Sequence, residues 1–247
     1  MIGIVGGIGP MAGIDLYKKI LENTIATIDQ EHLPVLLASM PNEIADRTSF
    51  LHGRSIENPA PALARIILML ENAGSKHIGI VCNTAHASEI FDPILAILNA
   101  NDSKVEIVNM INATVHAIRS HPANIQRVGL LSTSGTYKTR IYQNQLEQAG
   151  LIPVLLDFEQ HEALVQEAIH RIKAASTNVP QKPVDLLNSA IKMLKNLGVQ
   201  AIVLGCTELG MIEERLDCGN LVVFNPNLVL ARTLIMRAFP EKLKAAD

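Results

Sequence analysis

Apolar residues in this chain fall into two alternating patterns, short β-rich runs and longer stretches with helical period. The runs are residues 2–5, 35–38, 78–81, 107–108, 128–131, 154–156, 201–204 and 221–224. Among the stretches between them, 15–27, 61–73, 137–149 and 184–197 read as helices. Such alternation predicts an α/β fold whose parallel sheets carry helices on both faces. In sheets of that kind, ligands gather beyond the carboxyl ends of the strands.

The pattern also repeats. Met69-Leu-Glu-Asn-Ala-Gly74 and Met193-Leu-Lys-Asn-Leu-Gly198 share four identities at an offset of 124 positions. Each is followed by an apolar run and then, eight residues after its glycine, by a cysteine, Cys82 or Cys206. Ile2-Gly-Ile-Val-Gly-Gly7 and Val128-Gly-Leu-Leu-Ser-Thr133 form a second pair, each a strand running into small residues. The two halves therefore read as copies of one βα domain. Chance similarity is the competing reading, since glycine after a helix is common, but it does not account for the paired cysteines.

Composition narrows the function. At 247 residues, 48% hydrophobic, 18% charged and net charge -3, the chain buries a sizeable core and offers no broad basic surface for nucleic acid or anionic lipid. The opening segment lacks a basic region and is broken by glycines, unlike a signal peptide, and no stretch approaches the roughly 20 apolar residues of a membrane span. A cytoplasmic location is expected, where three widely spaced cysteines stay reduced.

Two matched cysteines just past strand ends suit acid/base chemistry. Helix-terminal amides there favour a thiolate, and lowering a thiol pKa from about 8.5 to 7 takes roughly 2 kcal/mol. Two domains closing on each other would present sulfurs to opposite faces of one molecule, so that one thiolate removes a proton and the other thiol delivers one. The carbanion formed beside a carboxylate needs hydrogen-bond donors. Asn83, Thr84 and Thr207, with Ser132, Thr133 and Thr136 from the loop after the second glycine-containing strand, can supply them.

Other residues admit more than one reading. Cys218 has no counterpart 124 positions earlier, where Ile94 stands, and reads as structural or incidental. His86, four residues after Cys82, is a polar helix residue, a group tuning Cys82 or, with both cysteines, a weak zinc signature. Glu208 tunes Cys206 or caps a helix. Gly7-Ile-Gly9-Pro-Met-Ala12 matches a loose dinucleotide fingerprint, but Pro10 removes an amide from the turn. A glycine loop at Gly7 that lets backbone approach a carboxylate explains the same residues.

Cys82-Asn83-Thr84-Ala85-His86, Gly205-Cys206-Thr207-Glu208 and Gly6-Gly7-Ile8-Gly9-Pro10 resemble motifs of the aspartate/glutamate racemase superfamily, and within it the aspartate racemases. Asp29-Gln-Glu-His32, Asp46-Arg47-Thr48 and Gly129-Leu-Leu-Ser-Thr-Ser-Gly-Thr136 resemble further segments, so the similarity spans nearly the whole chain. The resemblance implies two similar domains related by a pseudo-two-fold axis, each a parallel four-stranded sheet flanked by helices, with the active site in the cleft between them. The expected division is 1–104 with 209–247 as one domain and 105–208 as the other. The resemblance further implies a homodimer acting on a small acidic amino acid without pyridoxal phosphate or metal. It makes Cys82 and Cys206 the acid/base thiols, brings Asn83, Thr84 and Thr207 to the α-carboxylate, and pairs Arg47 with the distal carboxylate.

The chain departs from the family pattern at Ile8, where methionine is common, and at Gly13, where threonine is frequent. Some aspartate racemases also carry a lysine, on the helix after the sixth strand, that assists the distal carboxylate. Glu162 is expected at that position, where a negative charge would weaken aspartate binding. Aspartate or a related acidic amino acid is thus the expected substrate. The competing readings are other superfamily chemistry of the hydantoin racemase or maleate isomerase type, a catalytically silent carboxylate-binding protein, and nucleotide-dependent oxidoreduction.

Overall fold

The computed structural model describes residues 1–175 and 178–245. A strand lies at each of the eight apolar runs, though β6 shares only Val154 with the run expected at 154–156: β1 Ile2–Gly6, β2 Val35–Ser39, β3 His77–Ile80, β4 Glu106–Val108, β5 Arg127–Ser132, β6 Ile152–Val154, β7 Ala201–Gly205 and β8 Val222–Phe224. They make two parallel four-stranded sheets, ordered β2-β1-β3-β4 and β6-β5-β7-β8, so the second half repeats the topology of the first. Every residue of β1 and β7 is buried, as strands covered on both faces require.

The helices are α1 Pro10–Glu22, α2 Arg47–Leu51, α3 Ala60–Asn72, α4 Ser88–Ala100, α5 Met110–Arg119, α6 Ser134–Thr139, α7 Ile141–Gln148, α8 Phe158–Gln160, α9 Glu167–Ala175, α10 Gln181–Asn196 and α11 Pro226–Ala238. A π-helical stretch, His161–Gln166, joins α8 to α9. Two expected helices differ. The one expected at 15–27 starts at Pro10, whose fixed φ suits a first helical position. The one expected at 137–149 is broken by Arg140, which is left-handed at φ 55° although neither glycine nor proline marks the break.

The matched glycines explain the repeat. Gly74 and Gly198 sit just past α3 and α10 with φ of 97° and 75°, a region glycine enters without steric cost. At each, the glycine amide bonds to the carbonyl three residues back and the next amide to the carbonyl five back: Gly74 to Glu71 and Ser75 to Leu70, Gly198 to Lys195 and Val199 to Leu194. Both helices therefore end in the same Schellman turn, which aims the chain into β3 or β7.

Each sheet is sandwiched. Leu63 and Ile67 of α3 with Ile90 and Ile94 of α4 cover one face of the first sheet, and Leu16 of α1 with Leu230 and Leu234 of α11 cover the other. In the second half Ile169 of α9 and Leu187 of α10 oppose Val115 of α5 and Leu146 of α7. The expected division misplaces two strands: β4 pairs with β3 of the first sheet and β8 with β7 of the second. The reason is that each half completes its own four-strand order through a helical crossover before the chain leaves it. The C-terminal segment returns to the first half through α11, which packs against α1 and α5, and through the turn after it, where Leu243 bridges to Thr24.

Both sheets place their switch point in the same way. The chain leaves β1 toward β2 and leaves β3 toward β4, so a crevice opens between the loops that follow β1 and β3; the same holds for β5 and β7. Among the described residues, no helix is long and apolar enough to cross a membrane.

Candidate active site

The loops at the two switch points meet around one small cavity of about 10 Å³, the room of a single water. Cys82, Asn83 and Thr84 reach it from the loop after β3, Thr133 from the loop after β5, and Cys206, Thr207 and Glu208 from the loop after β7. Ile8 and Gly9 contribute from the loop after β1, Arg47 and Thr48 from the start of α2, and Lys173 from α9. Both matched cysteines thus line one space. A larger chamber of about 270 Å³, walled by Pro10, Met11, Ile172 and Met211, adjoins it and shares Ile8, Gly9, Lys173 and Glu208.

Cys206, Glu208 and Lys173 form one electrostatic unit. The Cys206 thiol donates to Glu208 Oε2 at 3.0 Å, and Thr207 Oγ1 donates to the same oxygen at 3.1 Å. Lys173 Nζ stands 3.9 Å from Glu208 Oε1. Burial, and then the Glu208 charge, hold the Cys206 thiol well above its ordinary range, against the pull of Lys173. This corrects the expectation of a helix-lowered thiolate: Cys206 faces a carboxylate inside the core and rests as a thiol. Burial acts to raise the Glu208 carboxyl too, but Lys173 and the Cys206 hydrogen bond outweigh it and keep it below the usual range. Burial likewise works against the Lys173 ammonium, while Cys206 and Glu208 raise its pKa on balance. At neutral pH the unit is thiol, carboxylate and ammonium.

Donors for a carboxylate stand opposite. Tyr142 donates to Asn83 Oδ1 at 2.6 Å and so fixes which end of the amide is left over. The buried Asn83 Nδ2 and Arg47 Nε have no partner among the described residues. Such orphaned donors in cavity-lining residues mark a place for an anion. Arg47 spends one nitrogen on the Ile8 carbonyl at 2.8 Å and another on the Ala45 carbonyl at 3.2 Å. Thr84 Oγ1 lies 2.9 Å from Thr133 Oγ1 and 3.0 Å from Thr136 Oγ1, so three hydroxyls stitch the two halves together at the cavity wall.

Four candidates lie outside the cavity lining. Thr136 stands behind Thr133 in the hydroxyl cluster, and Ser132 turns its hydroxyl to the Thr133 carbonyl. His86 has Nδ1 on the Cys82 carbonyl at 2.8 Å and accepts from the Met110 amide at Nε2. Burial drives its pKa down to about 4. Both ring nitrogens are therefore committed to backbone, and His86 holds the Cys82 loop rather than meeting the sulfur or a metal. Gly7 is a hinge of the first loop: φ is 77°, and an added Cβ would stand 2.5 Å from the Met40 amide nitrogen. Gly7→Ala is therefore expected to destabilise the fold by at least ~2 kcal/mol, seen as a lower denaturation midpoint; an unchanged midpoint would contradict the assigned backbone role.

The sequence reading did not single out Lys173, which lines the cavity, and expected Glu162 at the position where some aspartate racemases carry a lysine. Glu162 is 41% exposed beside His161 and does not line the cavity. Glu162 lies in the π-helical stretch ahead of α9, whereas Lys173, near the far end of α9, is the residue that reaches the cavity. One signal was available: Lys173 is the sole lysine between Lys138 and Lys182.

A family model described as Asp/Glu/Hydantoin racemase matches residues 5–234. The Picrophilus torridus aspartate racemase is 31% identical, covering 98% of this chain and 95% of its own, with a TM-score of 0.82. An aspartate racemase homologue from Pyrococcus horikoshii is 25% identical over 96% of this chain and 98% of its own, with a TM-score of 0.70. A glutamate racemase from Francisella tularensis, in complex with D-glutamate, shares the fold at 19% identity and a TM-score of 0.62, covering 100% of this chain and 84% of its own.

Proposed function

The chain belongs to the Asp/Glu/hydantoin racemase family and is an isomerase, and from that premise we propose that it interconverts L- and D-aspartate, or a closely related acidic amino acid, through Cys82 and Cys206. The observation that carries this reading is that both cysteines, from equivalent loops of two repeated halves, line one cavity together with Arg47 and Lys173. The cavity holds about one water, so this reading requires the wall shared with the apolar chamber to move aside for the substrate.

In one direction Cys82, as thiolate, takes the α-proton: the Cα–H bond breaks and its electron pair stays on carbon, delocalised into the carboxylate. Cys206, resting as a thiol, gives its proton to the opposite face and becomes the thiolate, which Lys173 offsets against the nearby Glu208 charge. The reverse direction exchanges the two roles. Asn83 donates to the α-carboxylate, where charge builds in the intermediate, and Thr84, Thr133 and Thr207 join it by turning hydroxyls that otherwise bond within the threonine cluster and to Glu208. Arg47 and Lys173 hold the distal carboxylate. The thiols supply acid and base without a cofactor, and their need to stay reduced suits the cytoplasm; the homodimer of this reading rests on the family resemblance alone.

Incubating the protein with L-aspartate should bring the optical signal to zero, with D-aspartate formed. Failure with aspartate, glutamate, hydantoins and maleate alike would end the racemase reading; turnover of hydantoins or maleate alone would reassign the substrate. Lys173→Met is expected to raise KM for aspartate roughly tenfold, the loss of one charge-assisted hydrogen bond. An unchanged KM would remove Lys173 from substrate binding.

A further inference from the structure

Thr133 sits between two backbone anchors. His161 Nε2 lies 2.9 Å from the Ser132 carbonyl, to which it donates, and Gln166 Oε1 accepts from the Ser134 amide at 2.8 Å. The cavity-lining threonine is thus gripped on either side. Both anchoring residues are buried, at 2% and 8% exposure, and they are the first and last residues of the π-helical stretch His161–Gln166. In an α-helix of 3.6 residues per turn, positions five apart point in different directions. The wider π turn, with its i→i+5 bonds, brings them to the same side, and such insertions are frequent at functional sites.

The first half contains a matching contact. Arg47, eight residues after the end of β2, donates to the Ile8 carbonyl in the loop after β1. His161 stands seven residues after the end of β6 and holds the loop after β5. The His161 ring packs against Tyr137 at 4.6 Å between centroids, which fixes its plane. Burial keeps its pKa below the ordinary histidine value, consistent with a neutral ring that donates from Nε2.

We propose that His161 and Gln166 are positioning residues, which set the Thr133 hydroxyl for the substrate carboxylate by clamping the amide and carbonyl beside it. This rests on the racemase reading but is separable from it. His161→Phe keeps the ring and removes the donor; Gln166→Leu removes the acceptor. Each is expected to raise KM for aspartate and to lower kcat/KM at least tenfold, because the α-carboxylate gains charge in the intermediate, and to weaken calorimetric binding of succinate in parallel. His161→Gln and Gln166→Glu, which keep a donor and an acceptor, should return these values to within threefold of wild type.

Folded variants of Phe and Leu type with unchanged KM and succinate affinity would overturn the proposal, as would conservative variants as impaired as the disruptive ones. Should His161→Phe fail to fold, Gln166→Leu tests the other anchor alone. If the wild type racemises nothing, the racemase reading falls while succinate affinity still tests the clamp; a wild type that does not bind succinate overturns the clamp.

Discussion

Cys82→Ala and Cys206→Ala should each lower racemisation of aspartate by roughly 10²–10⁴-fold, the contribution of a positioned general acid or base. The two losses should be comparable, because each direction of the reaction needs one sulfur as base and the other as acid. Neither change threatens the fold: Cys82 lies at the rim of its core, and Cys206 loses a single sulfur from a wall whose Glu208 keeps the Thr207 hydroxyl as a donor. Unchanged unfolding midpoints, measured alongside the rates, separate chemistry from stability. A variant that retains wild-type turnover would exclude its cysteine from proton transfer.

Glu208→Gln should be the next most damaging change, at about 10- to 10²-fold in kcat, less than the loss of a thiol itself. The carboxylate both raises the Cys206 pKa and orients its S–H, so the neutral amide removes a charge as well as an acceptor. With the negative charge gone, the Cys206 thiolate is less disfavoured, and the pH limb that reports its ionisation should move toward lower pH. Lys173 acts in the opposite sense, so Lys173→Met should move the same limb upward. Limbs that stay put in both variants would mean that Cys206 is not the group titrating.

Much of this was legible in the sequence, for identifiable reasons. The strands were readable because parallel strands buried on both faces are short apolar runs, as in Ile-Gly-Ile-Val and Ala-Ile-Val-Leu. The duplication was readable because the Schellman glycines Gly74 and Gly198 fix the step from helix to strand, and with it the position of each cysteine. Position in the chain said less about direction. Gly7 and His86 adjoin cavity residues yet face the backbone, and Ser132 and Thr136 stand behind Thr133. Lys173 escaped notice because a single lysine on a helix carries no motif, and only the packing of α9 brings it to the cavity beside Glu208. The electrostatics of Cys206 were misread because a strand-end thiol gains from helix amides only if no carboxylate stands closer, and Glu208 does.

The two-sulfur transfer is tested most directly by running the reaction in D2O and comparing label at Cα in product and in recovered substrate at early times. With separate donors on opposite faces, newly formed D-aspartate should carry one solvent deuterium while the remaining L-aspartate is still almost wholly protonated. If deuterium enters the recovered L-aspartate as fast as it enters the product, a single base serves both faces and the two-sulfur mechanism is wrong.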